Sequence, residues 1–113
     1  MAPGARRPSG RPRSAWLRSG SIVKYVLFYE SADDVRSKAP RYLAAHRAHW
    51  AAFQADGTLL MIGTFGNVQD EGSMGIFTTR QAAEAFARDD PFVLNGVVRR
   101  WFVRDWHEAL TGP

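Results

Sequence analysis

Cysteine is absent from the 113 residues, which excludes disulfides, thiolate nucleophiles and thiolate metal sites. No apolar run approaches the ~20 residues of a membrane-spanning helix, so no membrane partner is expected and a cytoplasmic location is the default reading. Acidic residues are missing from the first twenty positions, where five arginines stand alone: Arg6, Arg7, Arg11, Arg13 and Arg18. Setting those five aside leaves ten basic against eleven acidic residues. The sequence pI of about 10.1 therefore describes a tail and says little about the surface of a folded domain.

That tail, residues 1–21, is rich in Arg, Pro, Gly and Ser, with Trp16 and Leu17 its large apolar residues before Ile22. With so little to bury, it is expected to be a disordered extension. Three readings of it stay open. Arg6-Arg7 has the look of a twin-arginine leader, but no apolar segment follows before Ile22. A basic arm that grips phosphates is the second, and the third is an inert tail, with a natural start near Val23-Lys24-Tyr25, since some valine codons also serve as starts. The remainder is long enough for a single modest core, so residues 22–110 are read as one domain and 111–113 as a C-terminal tail.

Within the domain, Ile22 to Glu30 is predicted as a strand, with Val23, Tyr25, Leu27 and Tyr29 on one side and Val26 and Phe28 on the other. A polar turn follows, and Pro40 is suited to the first turn of a helix that runs to about Asp56 and stops at Gly57. Thr58 to Phe65 reads as a second strand, its two sets being Leu59, Met61, Gly63 and Leu60, Ile62, Thr64. A loop from Gly66 to Gly72 leads into a hairpin partner, Ser73 to Thr78. Gln81 to Arg88 is a second helix, Pro91 to Asn95 a helical turn closed by Gly96, and Val97 to Trp106 the last strand.

The order β-α-β-β-α-β is that of the α+β ferredoxin-like fold, a four-stranded antiparallel sheet with two helices on one face. Strands one and two offer apolar side chains to both sides, although the fold leaves one sheet face bare. A homodimer packed through that open face is the expected solution.

On a helical wheel Tyr42, His46, His49, Trp50 and Phe53 cluster, while Ala44, Arg47, Ala48, Ala51 and Gln54 turn away. His46 lies at the middle of the apolar stripe, where an imidazole needs a hydrogen-bond partner. The spacing of His46 and His49 suits a shared metal ion, but further ligands are not evident, since His107 falls at the end of the last strand; no metal is expected. Asp90, before Pro91-Phe92, is suited to cap a short helix, a role worth ~1 kcal/mol that needs no function to explain it. Asp89 is read as a solvated carboxylate.

Lys24-Tyr25-Val26-Leu27, then His46 ahead of Gly57-Thr58-Leu59-Leu60-Met61-Ile62-Gly63, then Asp90-Pro91-Phe92 with Gly96, and a closing strand through Trp106 together resemble the YciI-like, or YCII-related, proteins of the dimeric α/β-barrel superfamily. The likeness covers nearly all of Val23 to Leu110. It implies a catalytic or ligand-binding dyad, carried here by His46 and Asp90; His49 has no such counterpart. Many relatives place Arg-Pro just before the histidine and Gly-Pro after the second strand, where this chain has Leu43-Ala44-Ala45 and Gly63-Thr64-Phe65.

The reading that results is a small cofactor-free enzyme in which His46 moves protons and Asp90 orients it, acting by elimination or isomerisation on small substrates, cyclic or aromatic ones among them. Trp50, Phe65 and Phe92 are candidate walls of the substrate pocket, though aromatics at such spacings also serve as core. The alternative is a dimer that binds or senses a small ligand without turnover. RNA-recognition modules share the element order, but they stack bases on exposed aromatics in a basic third strand. Ser73-Met74-Gly75-Ile76-Phe77-Thr78 has one aromatic and no basic residue, so no nucleic acid partner is expected.

Overall fold

The computed structural model describes residues 23–110, and the extension over 1–21 that was expected to be disordered lies outside them. The elements are β1 (Val23–Ser31), α1 (Val35–Ala55), β2 (Leu59–Thr64), α2 (Val68–Glu71), β3 (Ser73–Phe77), α3 (Arg80–Asp89), α4 (Pro91–Leu94) and β4 (Val98–His107). They form one four-stranded sheet in the order β2-β3-β1-β4, with β3 antiparallel to both β1 and β2. This is the ferredoxin-like α+β arrangement predicted from the strand and helix order. The sheet of a single chain is open rather than closed into a barrel.

Residues Tyr25–Arg104 pack as one unit, which holds the core and the cavity described below. Val23, Lys24 and residues 105–110 group separately, and there Trp106 and His107 are exposed.

Alternation along β1 sends Leu27 and Tyr29 into the core with Leu59 of β2 and Phe77 of β3. From the other side α3 contributes Ala83, Phe86 and Ala87, a spacing of three and four that places them on one helix face. Phe77 and Phe86 are fully buried, each worth about 1.5–3 kcal/mol relative to exposure. The Phe86 ring lies 5.2 Å from Phe53 of α1 and 5.2 Å from Phe77 of β3, so it joins both helices to the sheet.

Three local expectations are corrected. The first helix begins at Val35, so Pro40 lies inside it and not in its first turn. A proline this near the N-terminus removes one helical hydrogen bond while its fixed φ suits the helix. The amide of Val35, which has no acceptor within the helix, donates to Gln69 Oε1 at 2.9 Å. The supposed loop 66–72 contains α2, capped by Asn67, whose side chain accepts from the Asp70 amide. Gln69 Nε2 also donates to the Ala32 carbonyl at 2.9 Å, and Ser31 Oγ donates to the Val68 carbonyl at 2.6 Å, tying this turn to the start of α1.

The third correction concerns β2, where simple alternation put Leu59 and Met61 on one side. Leu59 pairs with Phe77 and Met61 with Ile76, so an irregularity between them sends the two to opposite faces. A bulge inserts one extra residue and shifts the alternation beyond it. Leu59 is consequently buried, whereas Met61 is 66 % exposed on the face away from the helices.

Gly72 closes α2 at φ 75, and a Cβ there would meet the backbone oxygen of Tyr29 at 1.9 Å. Gly72→Ala is expected to destabilise the fold by more than about 1 kcal/mol, through a left-handed backbone and a backbone clash together. Chemical denaturation checks this, and Gly57→Ala, with left-handed φ but nothing within 4 Å of the added carbon, should cost less.

Candidate functional site

Pro91 forces the residue before it out of helical geometry. Asp90, at φ −66 and ψ 125, accordingly ends α3 and caps α4. Its side chain is fully buried, and three donors converge on it. Oδ1 accepts the Phe92 amide at 3.0 Å and lies 2.8 Å from Nδ1 of His46. Oδ2 accepts the hydroxyl of Tyr29 at 2.7 Å. Each hydrogen bond to a charged acceptor contributes about 1.5–3 kcal/mol, which offsets the desolvation of a carboxylate in the core.

His46 comes from the middle of α1 and its side chain is 11 % exposed. Facing a carboxylate, Nδ1 carries the proton, so a neutral ring keeps its lone pair on Nε2. The ring lies flat on Phe92, with centroids 3.8 Å apart and planes 8° from parallel, and meets Phe86 edge-on at 6.4 Å. Its orientation is thus set by an ionic hydrogen bond at one edge and by stacking across its face.

Tyr29 was read from the sequence as a strand residue and its partnership with Asp90 was missed. The signal available was its place beside Leu27 on the core side of β1, because a buried phenol needs a hydrogen-bond partner. Burial first, then the Asp90 charge and the hydrogen bond to it, push the Tyr29 hydroxyl far above its ordinary value of 10.0.

A cavity of about 560 Å³ lies between α1 and the sheet, and His46, Tyr29, Trp50 and Phe92 are in its wall. Ile62 of β2 and Val97 are part of its largely apolar lining. Such a volume accommodates one compact organic ligand. The sequence-predicted residues separate clearly. Trp50 and Phe92 line this cavity with His46, whereas Phe65 is outside its lining and 39 % exposed just beyond β2. His49 is turned elsewhere, its Nε2 donating to the Phe86 carbonyl at 2.8 Å. Asp89 is exposed at the end of α3. Arg47, which the wheel turned away from the apolar stripe, is in the cavity wall.

The fold and this arrangement define a small ferredoxin-like α+β protein with an apolar cavity flanked by a histidine–carboxylate pair. The chain belongs to the YCII-related domain family, whose model matches residues 23–107. Among solved structures, it is similar to 5-chloro-2-hydroxyhydroquinone dehydrochlorinase from Burkholderia phenoliruptrix in complex with 2,5-dihydroxybenzoquinone. That match has a TM-score of 0.61 at 18 % identity and covers 80 % of this chain and 99 % of the other. A conserved protein from Methanosarcina mazei Go1 aligns at 6 % identity and a TM-score of 0.40, over 82 % of this chain and 99 % of that one. No curated protein sequence matches.

The raised Tyr29 value has a sign. Stability supplied by keeping this phenol protonated is fully present below the unfolded tyrosine value of ~10 and is lost as pH rises above it. Between pH 9 and 11 the wild-type protein is expected to lose about 1.4 kcal/mol more stability than Tyr29→Phe, as read by urea denaturation at both values.

Proposed function

We propose that the protein is an acid–base enzyme acting by elimination or isomerisation on a small ring substrate, with His46 as the proton-transfer group and Asp90 as the residue that orients it. The observation that carries this reading is the 2.8 Å approach of His46 Nδ1 to a fully buried Asp90 in the wall of a ligand-sized cavity. With Nδ1 committed to Asp90, Nε2 of the neutral ring takes a proton from the substrate, and the carboxylate stabilises the imidazolium that results. In an elimination, the electron pair of the broken C–H or O–H bond moves into the ring, the leaving group departs with its own bonding pair, and the imidazolium then releases its proton. The net change in an elimination is loss of a proton and of the leaving-group anion, so the step asks for no redox partner. Trp50 and Phe92 supply flat apolar surface for a ring.

Family membership supports the reading, and so does the dehydrochlorinase of similar fold, whose reaction is an elimination on a hydroxylated ring. Its substrate is the natural first test. Chloride release from 5-chloro-2-hydroxyhydroquinone, and from other chlorinated hydroxylated rings, is expected to fall about 10²- to 10⁴-fold in His46→Gln and in Asp90→Asn. Full activity in either variant would sink the reading. Tight binding without turnover in the wild-type protein would favour a ligand-binding role instead.

Two copies are proposed to pack through the bare sheet face. Register puts the half-buried Ile76 of β3 beside the exposed Met61 of β2 on that face, and the half-buried Phe28 stacks on Phe102 at 5.2 Å. A contiguous apolar surface of this kind is uncommon on a monomer. Sedimentation is expected to show a dimer at micromolar concentration that Met61→Glu, exposed in the single chain, weakens at least tenfold. A folded wild-type monomer would contradict this.

A further inference from the structure

The charges around the cavity are of one sign. Arg36 and Arg47 of α1 line it together with His46, and no aspartate or glutamate does so among the described residues. Asp90, the nearest carboxylate, is fully buried behind His46 and not part of the lining.

Most arginines elsewhere on the fold have partners, Arg41 of α1 being without one among the described residues. Arg80 and Arg88 pair with Glu84, Arg99 with Asp33 and Arg100 with Glu30, while Arg104 lies over the Phe102 ring. Arg36 and Arg47 make no side-chain hydrogen bond or ion pair among the described residues. Arg36 sits in the first turn of α1, which itself holds no acidic residue and follows the cap Asp34. Both residues are exposed, and a guanidinium at the edge of an apolar cavity presents a planar fork of donors to an anion seated there.

We infer that the cavity takes a ring-sized organic anion, a phenolate, enolate or carboxylate, with Arg47 and Arg36 as its counter-ions. The inference rests on this cavity being the substrate site. On α1 the two arginines are eleven residues apart, about 16 Å along the axis. Arg47 therefore lies one residue from His46 and serves an anionic oxygen near the reacting end, whereas Arg36 faces a second polar group at the far end. A fork of N–H donors matches such oxygens, and negative charge that grows on the ring as His46 removes a proton is stabilised by the same group. Arg41, also on α1, does not line the cavity and serves as an internal control.

The test is calorimetric titration of the full chain with 2,5-dihydroxybenzoate and with 2,5-dihydroxybenzamide, rings that differ by one charge. The anion is expected to bind at least tenfold more tightly than the amide and to weaken as sodium chloride is raised. Arg36→Gln/Arg47→Gln is expected to lose at least tenfold in anion affinity, the Lys/Lys variant to recover part of it, and Arg41→Gln to change nothing. Equal binding of both rings, unchanged anion binding by the Gln/Gln variant, or no heat from either ring would overturn the inference. His46→Gln separates this from the catalytic reading. Anion binding that survives in that variant while turnover is absent even in the wild-type protein supports the anion site and removes the enzyme. Turnover of uncharged rings that is indifferent to both arginines does the reverse.

Discussion

The buried carboxylate of Asp90 is the constraint on which the rest of the site depends. A carboxylate with no access to water is tolerated only where donors fill its oxygens, and here the donors come from three elements: Tyr29 of β1, His46 of α1 and the Phe92 amide of α4. Removing any one leaves a charged acceptor under-satisfied in the core. The cap that starts α4, the lateral position of α1 and the inward turn of Tyr29 are thus solved together. Histidine orientation, the requirement of acid–base chemistry, arrives as a by-product of satisfying a buried charge.

The two sides of the cavity differ in rigidity for identifiable reasons. On the His46 side, Pro91 presets the first residue of α4, Asp90 caps it, and the parallel stack of His46 on Phe92 joins that short helix to α1. The opposite wall is drawn partly from β2, an edge strand with a bulge and a largely exposed run from Leu60 to Phe65. Edge strands lack a second pairing partner, so their backbone is less constrained. The wall from β2 can therefore vary without disturbing the capped side that holds His46 and Asp90.

Much of this was legible in the sequence, for physical reasons that also mark where legibility stops. Strand and helix order followed from the two periodicities, and Gly96 and Asp90-Pro91 marked the turn between α3 and β4 because proline and left-handed glycine act locally. His46 stood out because an imidazole on an apolar helix face needs a partner, and it was the family resemblance that paired it with Asp90. The bulge in β2 was not legible, since both alternating sets are apolar and no pattern distinguishes one register from the other. Pro40 misled because its φ suits a first turn and an interior position near the N-terminus equally well. Tyr29 and Arg47 were missed for a common reason. Each depends on a neighbour brought from another element, and a wheel or an alternation pattern records only which way a residue leaves its own backbone.

That distinction bears on how the site handles charge. Apart from the tail the chain is close to neutral, yet its anions and cations are not evenly placed: the carboxylate that holds His46 is saturated by donors, while among the described residues the arginines in the cavity wall stand without protein anions. A saturated, buried carboxylate presents little net repulsion to an incoming anion, because the dipoles of its three donors point at it and oppose its field. The same carboxylate still acts on His46 at hydrogen-bond distance. Short-range stabilisation of an imidazolium and long-range attraction for an anionic ring, which conflict when a carboxylate lines a pocket, are therefore compatible here, and the compatibility follows from burying Asp90 behind His46 rather than beside it.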